Sequence, residues 1–241
     1  MGAWSRRTER CSGVGGASKK ATMLTALRSL CLAAFLCAFA APAHADSWAA
    51  PQVREVFSAS RDHFVRVIPG KSVGDTIGFA GAAKGAYAAA EFYRRQADRS
   101  YKLTATATLL NPVAPVDVFV SNHGRLATID NWHNRGYGSV LALYDAQGKL
   151  VKAYALADLF SKAEIDTASH SVSSIHWHNG PTYIKQDQRT LYMMIASGRD
   201  LILGLQTGRF AYCETRGGKY LCRGSNVERR WVPYADAVPQ N

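Results

Sequence analysis

Beyond Asp46, apolar and polar residues alternate with a period of two over most of the chain, and glycine-bearing turns punctuate the alternation. The clearest run is YKLTATATLL: Tyr101, Leu103, Ala105, Ala107 and Leu109 fall on one side, with Lys102, Thr104, Thr106 and Thr108 on the other. Successive side chains of a strand point to opposite faces, so this pattern predicts a half-buried β-strand. VDVFVSNHGRLATID predicts two strands about a turn at Asn122–Gly124, and SVLALYDAQGKLVKAYAL two more about Asp145–Gly148. TLYMMIASGRDLILGLQTGRFAYC continues the theme, with turns near Gly198 and at Thr207-Gly208. A short helix is expected near Leu156–Lys162. The Ala-rich GAAKGAYAAAEFYRRQ is expected to be a strand around Ala89–Arg95, because a tight Ala97-Asp98-Arg99 turn leads straight into Tyr101.

Internal repetition bears on the architecture. GSVLALYDAQGKLVKAY aligns with RDLILGLQTGRFAY: Leu141 matches Leu201, Leu143 matches Leu203, Gly148 matches Gly208, and Tyr154 falls near Tyr212. Strand, Gly-basic turn and strand in this form resemble the outer hairpin of a β-propeller blade, as in quinoprotein-type or kelch-type repeats. The segment from Asp117 to Phe160 resembles a whole four-stranded blade. In particular it is similar to a group of exported bacterial proteins of unknown function, whose shared core falls here on Gly124, Arg125, Thr128, Asp130, Asn131, Trp132, Gly136, Tyr137 and Gly138. The resemblance implies a fold rather than an activity. At roughly 45 residues per blade, about four blades is the upper limit. The expected fold is therefore all-β, a small or incomplete β-propeller-like arrangement of antiparallel sheets, with an irregular β-sandwich as the alternative.

The first 45 residues are expected to lie outside that fold. From Met23 the chain has a basic residue at Arg28, an apolar stretch from Leu30 to Ala41, and a small-x-small site at Ala43-His44-Ala45. This is the pattern of a secretory signal peptide, with residues 1–22 as a longer leader and cleavage near Ala45. The apolar run falls short of the roughly 20 residues a spanning helix needs, so no transmembrane segment is expected in the mature chain. Residues 46–241 then form a single all-β domain, periplasmic or secreted. Arg6, Arg7, Arg10, Lys19, Lys20 and Arg28 leave with the leader against the single acid Glu9, so the whole-chain charge of +11 falls to a moderate surplus of scattered cations. Outside the cytoplasm this argues against nucleic acid as a partner and is compatible with an envelope polymer or a protein partner.

Two cysteines remain, in YCETRGGKYLC. With Gly217-Gly218 as a two-residue hairpin turn, Arg216 faces Lys219, Thr215 faces Tyr220, Glu214 faces Leu221 and Cys213 faces Cys222. The cysteines fall in a non-hydrogen-bonded pair with Cα atoms about 4.5 Å apart, within disulfide reach. An oxidising compartment favours the bond.

Candidate chemistry is sparse. In SSIHWHNG, strand alternation puts Ile175 and Trp177 on an inner face and Ser174, His176 and His178 on the other. Imidazoles at i and i+2 can both ligate a transition metal if a third ligand arrives, and His133, in the similar NWHN string, is the expected third, with His170 and Asp130 as further candidates. In TIDNWHNRGYGS, Asp130 and Asn131 can cap a loop, while Trp132 and Tyr137 offer rings that either anchor it or stack on a ligand such as a sugar. No nucleophile elbow and no zinc-protease helix are expected. Gly78, Gly81 and Gly85 have the wrong spacing for a nucleotide loop. The expected function is an exported, non-catalytic binding or scaffolding role in the bacterial envelope, with no cofactor. Metal binding through the His-Trp-His strand and carbohydrate binding through loop aromatics are the alternatives.

Overall fold

A computed structural model describes residues 48–224 and 231–234. The expected leader and signal peptide, residues 1–45, lie outside the described residues. Three larger antiparallel sheets follow one another along the chain. The first runs β1 (Arg54–Phe57), β2 (His63–Ile68), β3 (Ala89–Arg95), β4 (Tyr101–Thr108); the second runs β5 (Pro115–Val120), β6 (Leu126–Asn131), β7 (Leu141–Tyr144), β8 (Leu150–Tyr154). Two short helices, α1 (Leu156–Leu159) and α2 (Lys162–Thr167), and a two-stranded ribbon, β9 (Ser169–His170) with β10 (Ile175–His176), lead to the third sheet. That sheet contains β11 (His178–Ile184), β12 (Thr190–Ile195), β13 (Asp200–Gly204), β14 (Phe210–Arg216), β15 (Lys219–Gly224) and β16 (Val232–Pro233). Among the described residues, no helix is long and apolar enough to cross a membrane.

Each larger sheet is a meander that begins with one strand and grows outward by hairpins. The first strands come together, since β5 lies against β1, β2 and β11. Sheets laid out from an inner strand in this way have the connectivity of propeller blades, and none of them closes into a barrel. A two-layer sandwich does not describe the packing, because the middle sheet is buried on both faces. Leu126, Ala142 and Tyr144 pack with Val65, Val67, Ala90 and Phe92 of the first sheet. Ala127, Ile129, Leu141 and Leu143 pack with Leu191, Met193, Leu201 and Leu203 of the third. Two-sided burial explains why LALY is apolar at every position rather than alternating.

The repeat seen in the sequence is a repeat of register. Leu141 pairs with Tyr154 across β7 and β8, and Leu201 pairs with Tyr212 across β13 and β14. Each tyrosine donates its hydroxyl to a neighbouring carbonyl, Tyr154 to Gly208 and Tyr212 to Leu159. Ala89–Arg95 is a strand as expected. The expected helix near Leu156–Lys162 is instead two, broken at Phe160 and Ser161. Ser161 takes an extended backbone and starts α2 with a reciprocal cap: its hydroxyl accepts from the Glu164 N–H while the Glu164 carboxylate accepts from the Ser161 N–H. Such a cap stabilises a short helix by about 1 kcal/mol.

The final hairpin has the expected register, from Arg216 opposite Lys219 to Cys213 opposite Cys222. Gly217 and Gly218 both have positive φ, 55° and 74°, as a two-residue turn matched to strand twist requires. The cysteines form a disulfide with Cα atoms 4.0 Å apart, fully buried with Ile202 and Ala211. The bond closes a short loop, for which chain entropy gives a stabilisation of about 2.5 kcal/mol. Cys213→Ala/Cys222→Ala is expected to lose about that amount in urea unfolding, and reduction of the native protein should give a similar loss.

Candidate ligand-binding site

The site is built on one carboxylate. Asp130, the last residue but one of β6, has a positive φ of 57°, and its side chain is completely buried. Oδ1 accepts from the Gly136 backbone N–H at 2.9 Å and from Trp177 Nε1 at 2.8 Å. Oδ2 lies 3.0 Å from His178 Nε2 and 3.5 Å from Arg135 Nε. A buried carboxylate without partners costs several kcal/mol, so these four contacts are what permit it there. They also join two distant segments, the loop after β6 and the chain between β10 and β11.

Asn131 holds the same loop from the other side. Its amide donates to the carbonyls of Tyr137 at 2.7 Å and Ser139 at 3.2 Å, while its oxygen accepts from Asn111 at 2.8 Å. Trp132 donates Nε1 to the Ala49 carbonyl and meets Trp48 edge-on, ring centroids 5.4 Å apart. Tyr137 packs against the core between the second and third sheets. Asp130, Asn131, Trp132 and Tyr137 thus all have protein partners.

The three histidines expected to share a metal are held apart. His133 sits between Trp48 and Phe79, at 5.8 and 5.1 Å, and burial there pushes its pKa below the ordinary value. His178 does not share an outer face with His176. The strand breaks at Trp177, and the His178 imidazole turns inward to Asp130 while His176 stays exposed. His170 lies 3.2 Å from the Ile165 carbonyl. Among the described residues, no three His, Cys, Asp or Glu side chains are grouped to hold a metal ion. The alternation argument fails here because one buried acceptor outweighs the period of two.

The expectation that the chain lacks a nucleophile-elbow pattern overlooks one string: Gly70-Lys71-Ser72-Val73-Gly74 reads G-x-S-x-G. Ser72 precedes a single 3-10 turn, is fully buried, and donates to Asp75 at 2.6 Å while accepting from the Gly85 N–H. It is a structural serine, with neither the exposed hydroxyl nor the following helix of an elbow.

Trp177 connects Asp130 to a cavity of about 470 Å³. The indole N–H is spent on the carboxylate, and the ring lines the cavity with Leu156, Phe160, Ile165 and Ile195. His176, Asn179, Ser197 and Arg199 supply polar lining. Arg199 is fixed three ways: Nη2 on the Glu164 carboxylate, Nε on Ser197 at 3.1 Å, and the guanidinium over the Tyr212 ring at 4.8 Å. Burial opposes ionisation of Glu164, but the Ser161 bonds and Arg199 outweigh it and hold the carboxyl below its usual value. Of these residues the sequence pointed only to His176. Phe160, Glu164 and Arg199 carried no motif, although the Ser161-to-Glu164 spacing is that of a capping box.

Asp130→Asn keeps a residue that tolerates left-handed backbone while removing the charge, and is expected to cost about 3 kcal/mol in urea unfolding. Asp130→Ala, which adds backbone strain, should cost more. Trp177→Phe removes one charge-assisted hydrogen bond and should cost about 1.5–3 kcal/mol.

No family model matches the chain, and no curated protein sequence does. Among solved structures it is similar to the periplasmic gluconolactonase of Pseudomonas aeruginosa, at 13% sequence identity and a TM-score of 0.36. That match covers 74% of this chain and 55% of the other, so this chain spans about half the length of that structure.

Proposed function

We propose that this is an exported binding protein of the bacterial envelope, non-catalytic, that takes a small ligand in the cavity lined by Trp177 and Phe160. The observation that carries the proposal is the cavity itself. Its volume of about 470 Å³ lies in the range of small-molecule sites, and it combines an apolar, aromatic lining with a few fixed polar groups. Its ion pair, Glu164 with Arg199, is closed on itself, and the carboxylate is further occupied by Ser161. A general base needs an acceptor turned to substrate, and Glu164 spends both oxygens on protein. The disulfide supports an oxidising compartment.

A neutral apolar fluorophore, N-phenyl-1-naphthylamine, tests the cavity directly. The protein is expected to bind it with enhanced emission. Ala196 is exposed and lines the cavity, so Ala196→Trp fills the space without disturbing the core. That variant should weaken probe binding at least about tenfold, the effect of losing roughly 1.4 kcal/mol of contact. Unchanged binding in Ala196→Trp would show that the probe sits elsewhere.

A further inference from the structure

We infer that the cavity's ligand class is a small ring-bearing carboxylate, with Arg199 as its anion partner; this rests on the binding function proposed above. Glu164 is the carboxylate at the cavity wall, and both its oxygens are engaged: Oε2 receives the N–H and the hydroxyl of Ser161, and Oε1 receives Arg199. Ser197 accepts from Arg199 Nε. Arg199 has donors to spare. A guanidinium carries five N–H groups in a planar fork, and among the described residues the hydrogen bonds of Arg199 use Nε and Nη2, which leaves Nη1 for a ligand. His176 and Asn179 each add donor and acceptor capacity. The charged group with hydrogen-bonding capacity to spare at this wall is thus the Arg199 guanidinium, which complements an anionic ligand.

Charge points the same way. Arg199 is held at only 16% side-chain exposure, against Glu164 on one side and over the Tyr212 ring on the other. A guanidinium already oriented loses little further entropy on accepting a carboxylate, and its fork geometry suits a two-point contact. Trp177 and Phe160, with centroids 5.9 Å apart, line the same cavity and offer aromatic surface for a ring but no charge. A ligand with an anion for Arg199 and a ring for Trp177 and Phe160 fits this lining.

Calorimetric titration of the purified, disulfide-bonded protein with 3-phenylpropionate, 3-phenylpropanamide and 3-phenylpropylamine varies the charge at constant ring and chain length. The carboxylate is expected to bind at least about tenfold more tightly than the amide, with the amine weakest. Arg199→Gln should bring carboxylate and amide together, while Arg199→Lys should keep part of the preference. Amide or amine binding as tight as the carboxylate overturns the inference, as does the absence of carboxylate binding at millimolar concentration. Arg199→Gln with an undiminished preference, in protein whose near-ultraviolet circular dichroism is native, overturns the role of Arg199. The native protein's ratio decides the ligand class by itself, so a variant that fails to fold does not rescue it. The neutral fluorophore separates the two levels. If Ala196→Trp blocks that probe but no charge preference exists, the carboxylate class falls and the binding function stands. If the probe is indifferent to Ala196→Trp, both fall.

Discussion

A carboxylate with no access to water sits where the second sheet turns toward the third, and much of the structure around it is arranged to satisfy it. Asp130 takes a backbone N–H from Gly136, an indole N–H from Trp177, and the cations or donors of His178 and Arg135. Coulomb attraction alone would not repay the dehydration of that group; the hydrogen bonds to each oxygen do. The left-handed backbone at Asp130 belongs to the same arrangement, a local cost held in place by the contacts it enables. Through it the loop after β6 and the chain entering β11 are fixed to one another.

The cavity inherits this rigidity. Trp177 cannot rotate freely while its N–H is committed to Asp130, so the aromatic wall is set before any ligand arrives. Arg199 is set independently by Glu164, Ser197 and Tyr212. A site whose two walls are already ordered pays little conformational entropy on binding. Helix α2 contributes through its cap, since the residue that starts the helix, Ser161, also binds the Glu164 carboxylate at the cavity wall.

Strands, turns and the disulfide hairpin were legible because each depends on short-range pattern. Tyr101 to Leu109 alternates, Gly217-Gly218 suits one turn type, and that turn dictates which residue faces Cys213. The match of Leu141 with Leu201, and of Tyr154 near Tyr212, turns out to be one of register, since each leucine pairs with its own tyrosine. What escaped were relations across long separations. Nothing in WHNG announces that His178 will turn toward an aspartate 48 positions earlier, or that the two WHN strings will hold their histidines in unrelated surroundings. Arg199 and Glu164 are likewise 35 positions apart and ordinary in their own neighbourhoods. Gly70 to Gly74 errs in the opposite sense, a motif whose letters are present while its serine is buried and its helix missing.

The two-sided burial of the middle sheet has a kinetic consequence. Each meander can form from hairpins between neighbours in sequence, which is fast and local. β6 and β7, however, expose an apolar face until both flanking sheets dock, and the Asp130 carboxylate keeps its water until Trp177 arrives from 47 positions away. Docking of the third sheet therefore combines loop closure, dehydration of an ion and burial of a core in one step. A nascent chain that stops short of β11 leaves the apolar residues Ile129, Leu141 and Leu143 half-covered, so the core between the second and third sheets is completed only by that long-range closure.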